Sequence, residues 1–106
     1  MPKPDAKASP IRSDFADDAD MAELIAMFVG EMPNRISAIT ECYEEQRLTE
    51  LQTLAHQLKG SGSGYGFEPV SQIAAQLESA LKSHVELEAM RNEVESLIDI
   101  CGRLSC

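Results

Sequence analysis

An all-α fold, an antiparallel four-helix bundle, is predicted by three features of this sequence. Apolar residues recur at helical spacing in four successive segments, short polar connections separate those segments, and no run alternates with the period of a strand. The 106 residues suit one domain with a modest core, and with 5% aromatic residues and no Trp that core must be mostly Leu, Ile, Ala and Met. Nine basic residues stand against 18 acidic ones, for a net charge of -9. There is no basic stripe of the kind that binds a phosphate backbone, so no nucleic-acid partner is expected. No apolar run approaches the roughly 18 residues of a spanning helix and no signal-peptide pattern opens the sequence, so no membrane segment is expected. Cys42, Cys101 and Cys106 are odd in number and lack paired spacing. They read as reduced thiols of a cytoplasmic protein rather than a disulfide framework, Cys42 and Cys101 as packing residues and Cys106 as a frayed terminal thiol.

Residues 1–12, "MPKPDAKASPIR", carry three prolines and no periodicity, so they form a flexible or partly helical arm; the bundle occupies 13–106. The aspartates of "SDFADDAD" suit a helix start, and Asp20 with Glu23 has the spacing of a capping box. From Met21 onward apolar residues fall at 21, 25, 28, 29, 32, 36, 39 and 43. At ~100° per residue these share one helix face. Pro33 lies within that run, and a helical proline ordinarily breaks or kinks. Because the stripe keeps its phase across Pro33 and Pro33 sits off it, the expectation is one long helix with room for a kink, not two helices.

Thr49 is the expected N-cap of the second helix, whose stripe is Leu51, Leu54, Ala55, Leu58, Gly62 and Tyr65. Gly66 permits the turn, and Pro69 falls in the first turn of the third helix, which turns Val70, Ile73, Ala74, Leu77 and Leu81 inward. "KSHVE" is a short connection. The last helix buries Leu87, Met90, Val94, Leu97, Ile98, Cys101 and Leu104. No internal repeat or second domain is visible.

The segment "LAHQLKGSGSGYGF" carries the chemistry. A glycine inside a helix costs about 1 kcal/mol relative to alanine, so Gly60, Gly62, Gly64 and Gly66 need reasons. His56 lies ~140° around the wheel from Leu51, on the solvent side, with Lys59 and Gly60 one turn on. The glycines clear side chains from beside an imidazole so that something large can approach it, while Gly62, on the apolar side, lets a neighbouring helix pack closely.

"AHQLKGSGSGYGF" resembles the signature of histidine-containing phosphotransfer (HPt) domains, A-H-x-L-K-G-small-small ending in Gly and an apolar residue. The resemblance extends more weakly over residues 13–104, through the stripe order and the "F-V-x-E-x-P-x-R" pattern of 28–35. It implies a four-helix bundle and a phosphocarrier acting in two-component phosphorelays. His56 matches the phosphorylated histidine, Lys59 the lysine that contacts the phosphoryl group, and Gly60 the small residue that keeps the imidazole accessible. Glu78 falls where family members place Gln or Glu near the other ring nitrogen. Glu is the choice of the chemotaxis-kinase branch and Gln that of many phosphorelay shuttles, so the donor stays open. Helical phase alone suits Glu78 equally to facing His56 and to an ordinary surface position. Gln57 and Ser63 are taken as accessible surface beside His56. Ser61 and Ser63 are either donors near a bound phosphoryl group or small polar residues tolerated in a helix.

A hydrogen bond from Nδ1–H to Glu78 would fix the tautomer and leave Nε2 free to attack phosphorus, with Lys59 stabilising the transferred oxygens. No metal site is expected within the chain. Mg²⁺ and the aspartyl phosphate would come from a partner receiver domain of a response regulator, and a hybrid or chemotaxis-type histidine kinase is the other expected partner. With no nucleotide-binding domain in 106 residues, self-phosphorylation from ATP is not expected. The rival readings are a non-catalytic helical adaptor, which would not need the His56–Lys59–Gly60 arrangement, and an HPt piece of a larger kinase. Met1 and the proline-rich arm lean towards a free-standing protein.

Other features carry less. "GSGSGYG" neither follows a strand nor opens a helix with Gly-Lys-Ser/Thr, unlike a phosphate-cradling loop. His84 has no partner at ligand spacing. Met21, Met27 and Met32 read as core and rim, and Glu41, Glu44 and Glu45 as a solvated face.

Overall fold

The computed structural model describes residues 10–83 and 86–105. A two-residue strand β1 (Ile11–Arg12) precedes α1 (Ala19–Gly30), α2 (Met32–Glu44), α3 (Leu48–Gly64) and α4 (Glu68–Lys82). A 3-10 turn, Leu87–Met90, then leads into α5 (Arg91–Gly102) and a second short strand, β2 (Leu104–Ser105). Helices α2 to α5 form the four-helix bundle: α3 lies along α4, α4 along α5, α5 along α2, and α2 back along α3. Helix α1 adds its apolar edge at one end. The core runs through all five helices, from Ile25 and Phe28 through Ile39, Leu51, Leu58, Val70 and Leu77 to Val94 and Leu97. None of the described helices is long and apolar enough to cross a membrane.

The expected single first helix is two helices, parted at Glu31. Pro33 has no N–H to give to the carbonyl four residues back, so it stands in the first turn of a new helix instead. The break is slight, because the Glu31 N–H still reaches the carbonyls of Met27 and Phe28, both at 3.1 Å. Ile25, Phe28, Met32 and Ile39 are all buried, so the stripe does stay in phase through the break.

Two caps also differ from expectation. The N-cap of α1 is Asp18, whose Oδ1 accepts the Asp20 N–H at 2.9 Å, so Asp20 lies inside the helix rather than opening it. Helix α3 begins at Leu48, which puts Thr49 in its first turn; the preceding residue is Arg47. The guanidinium of Arg47 reaches Glu50 at 3.1 Å, Glu45 at 3.2 Å and Glu41 at 3.4 Å, tying the α2–α3 corner together. Two members of the expected solvated acidic face thus hold this corner.

The sequence shows no strand pattern, yet Ile11–Arg12 pairs in parallel with Leu104–Ser105. The last two residues of the expected arm therefore belong to the fold. Beyond them, Ser13 Oγ donates to the Tyr65 carbonyl at 2.6 Å, and the Asp14 N–H donates to the Gly66 carbonyl at 2.8 Å. This fastens the N-terminal segment over the α3–α4 turn, where Gly66 has φ 82°, the left-handed conformation that glycine tolerates. Phe28 stacks on Tyr65 and Phe67 above the same turn, at ring separations of 4.8 and 5.8 Å.

Cys42 and Cys101 are buried free thiols. Burial raises both above the usual thiol range, Cys101 to about 11, which suits a packing role. Met32 is buried, Met21 half-buried and Met27 exposed. The readings of residues 1–9, His84, Val85, the Leu87 side chain and Cys106 lie outside the described residues.

Candidate functional site

The two central helices approach closely because α3 lacks a side chain where they cross. A Cβ on Gly62 would lie 2.8 Å from the Ser71 backbone nitrogen and 3.1 Å from Val70 Cβ. Ser71 Oγ uses the close approach to donate to the Lys59 carbonyl at 2.7 Å. This packing sets the distance between the exposed side of α3 and the neighbouring side of α4.

Across that seam His56 Nδ1 lies 2.9 Å from Glu78 Oε2. The two side chains are unlike in exposure: that of His56 is 68% exposed and that of Glu78 only 6%. Glu78 is therefore a buried carboxylate facing an open imidazole, not the surface glutamate its helical phase also allowed. Lys59 Nζ lies 2.9 Å from Glu78 Oε1, and Lys82 Nζ is 3.4 Å from Oε2. Three cationic or potentially cationic groups thus surround one carboxylate.

The electrostatics follow from this arrangement. The hydrogen bond from Lys59 does most to hold the Glu78 carboxyl down at about 2; burial pushes it up, and the bonds from His56 and Lys82 act with Lys59. An ionised carboxylate only accepts hydrogen bonds, so the proton in the His56–Glu78 bond belongs to Nδ1. In the neutral imidazole the free lone pair is then on Nε2.

Each glycine of the segment has its own task. At helical spacing His56, Gly60 and Gly64 form one row along α3. A Cβ on Gly60 or Gly64 would meet nothing within 4 Å, so the ground beside the imidazole is open. Gly62 allows the α4 packing and Gly66 the turn.

The remaining expected site residues, Gln57 and Ser63, are exposed on α3, the helix that carries His56 and Lys59. Gln57 is exposed and lines a groove between α2 and α3, with Thr53, Leu54 and Cys42. Ser63 Oγ donates to the Glu68 carboxylate at 3.1 Å, at the start of α4, and Ser61 Oγ donates to the Gln57 carbonyl. Both hydroxyls make local hydrogen bonds on or beside α3. Lys82 was not singled out in the sequence. Its signal was there: it follows Glu78 by four residues, a pair that meets on a helix face.

A family model described as Hpt domain matches residues 23–105, a span that includes α2 to α5 and every member of the cluster. Comparisons with curated proteins and with solved structures give no match. Hpt domains serve histidine phosphotransfer in phosphorelays, working with receiver domains and kinases. Matched over most of its length and folded as the helical bundle of that family, the chain belongs to the Hpt domain family.

Proposed function

We propose that the chain is a phosphocarrier that accepts a phosphoryl group on His56 Nε2 and exchanges it with the aspartate of a response-regulator receiver domain. The observation that carries this reading is the 2.9 Å contact between Nδ1 of an exposed histidine and a buried, ionised Glu78. In transfer from the receiver, the Nε2 lone pair forms the N–P bond as the P–O bond of the aspartyl phosphate breaks. The aspartate leaves as a carboxylate with that electron pair. The ring gains positive charge, which Glu78 offsets while Nδ1 keeps its proton, and the return reaction reverses each step. Lys59, one turn from His56, would meet the transferred oxygens. Mg²⁺ and the aspartate are the receiver's contribution, so each protein holds half of the reacting site.

Docking follows the open row of His56, Gly60 and Gly64. Beside it α1 presents Leu24 and Met27, 45% and 61% exposed, around a shallow hollow shared with Ser61 and Tyr65. An apolar rim of this size favours a small, transient interface, as a carrier that must release each partner requires. A cytoplasmic setting is the one in which receivers and kinases would be met.

The test is intact-protein mass spectrometry after mixing with receiver domains from the same genome, phosphorylated in the presence of Mg²⁺. The expected result is one added, acid-labile phosphoryl group. If kinase catalytic domains with ATP charge the chain and no receiver does, the receiver-to-carrier direction is wrong. If neither donor charges it, the adaptor reading replaces this one.

A further inference from the structure

Glu78 has one carboxylate and three claimants. Its Oε2 faces His56 Nδ1 at 2.9 Å and Lys82 Nζ at 3.4 Å, while Oε1 holds Lys59 Nζ at 2.9 Å. Under the phosphocarrier reading, on which this inference rests, Lys59 must also meet a phosphoryl group on Nε2. That nitrogen is on the edge of the ring turned away from the Nδ1–Glu78 bond. One ammonium group cannot serve both places at full strength.

Lys59 is free to move on steric grounds, with a side chain 42% exposed on a flexible four-carbon stem. The obstacle is electrostatic. If Lys59 leaves, a carboxylate whose side chain is 6% exposed loses its shortest lysine contact, and breaking a buried ion pair is strongly unfavourable. An under-compensated Glu78 would draw Lys59 back, or draw the Nδ1 proton towards itself.

Lys82 is built to remove that obstacle. It follows Glu78 by one helical turn, in the favourable order of glutamate before lysine. Its ammonium is already at 3.4 Å, and a short closing movement would make it a full charge-assisted hydrogen bond. Lys59, Glu78 and Lys82 line a single open cleft of about 250 Å³ between α3 and α4, so both ammonium groups reach the carboxylate from one side.

We infer that Lys82 is a positioning residue that takes over Glu78 when Lys59 turns to the phosphoryl group, keeping the Nδ1 proton in place during transfer. No covalent bond changes at Lys82. What moves is a charge, from one lysine contact to another. Lys82 acts through Glu78 and touches neither phosphorus nor the receiver.

The test measures transfer from a phosphorylated receiver domain over a range of receiver concentrations, for the wild type, Lys82→Gln, Lys82→Arg and His56→Gln. Lys82 is 59% exposed on its side chain, so both of its substitutions leave the core untouched. In Lys82→Gln the saturated rate is expected to fall about tenfold, the rate equivalent of about 1.4 kcal/mol, near the low end for one hydrogen bond to a charged group. The receiver concentration giving half the maximal rate stays unchanged, and Lys82→Arg restores most of the rate. A saturated rate equal to wild type in Lys82→Gln overturns the inference and leaves the phosphocarrier reading intact. A raised half-saturation concentration with an unchanged saturated rate also overturns it, because Lys82 is then a docking contact. Phosphoryl uptake missing from the wild type, or persisting in His56→Gln, overturns the underlying reading and this inference with it.

Discussion

His56→Gln is expected to reduce phosphoryl uptake to background while leaving the bundle intact. The imidazole is the nucleophile in the proposed reaction, and an amide offers no lone pair of comparable strength at the same place. Glutamine still has an N–H to give, so Glu78 keeps a donor on the α3 side. The wild-type side chain is 68% exposed and buries little apolar surface. A stability change of about 1 kcal/mol or less is therefore expected, the size of one ordinary hydrogen bond. Intact mass after exposure to a phosphorylated receiver, with a urea unfolding curve alongside, reads both effects. Uptake at the wild-type level would mean that the phosphoryl group goes elsewhere. A collapse of the unfolding transition would mean that His56 is structural.

The second large effect concerns two glycines separated by one residue. Gly62→Ala and Gly60→Ala are the same chemical change in the same helix, and they are expected to have opposite signs. At Gly62 the new Cβ would meet the Ser71 backbone nitrogen at 2.8 Å, and backbone in a packed helix does not yield as a flexible side chain would. Overpacking of this kind costs about 1–3 kcal/mol, against the about 1 kcal/mol that alanine contributes over glycine in a helix interior. A net loss of up to about 2 kcal/mol is expected. The spreading of α3 from α4 would also lengthen the His56–Glu78 bond and slow transfer. At Gly60 the Cβ meets nothing within 4 Å, so only the propensity term operates and stability rises by up to about 1 kcal/mol. Urea midpoints at constant slope measure both changes. Equal shifts of the same sign would show that the α3–α4 approach is not limited by Gly62.

These two glycines show how far the sequence could be read. Periodicity alone separated Gly62, on the apolar stripe, from Gly60, on the histidine side, because burial on a helix follows angle. The same reasoning placed His56 in solvent and drew the bundle. It failed where angle carries no information. The stripe from Ile25 to Ile39 keeps its phase across Glu31, so nothing in it marks the point where Pro33 starts a new helix. With Asp17, Asp18 and Asp20 crowded together, several residues could cap α1, and Asp18 does so through the geometry of its own turn. A two-residue ladder such as Ile11–Arg12 with Leu104–Ser105 is too short to show alternation.

Glu78 is the instructive case. Its angle at the edge of the α4 stripe suits burial or exposure equally, and the outcome depends on α3 and α4 together supplying His56, Lys59 and Lys82 as partners. A buried carboxylate is tolerable only with such company. That company becomes visible once the helices are packed.

The position of the phosphoryl group on the ring tests the central claim most directly. Because Glu78 holds Nδ1, phosphorus should bond to Nε2 of His56. Phosphorus–nitrogen correlation NMR on the phosphorylated protein, with its two histidines labelled with ¹⁵N, reads this in one spectrum. The expected result is a phosphorus coupling to Nε2 of His56, with Nδ1 still carrying its proton. Phosphorus on Nδ1, or on His84, would contradict the proposal that the His56–Glu78 pair directs phosphoryl transfer to Nε2.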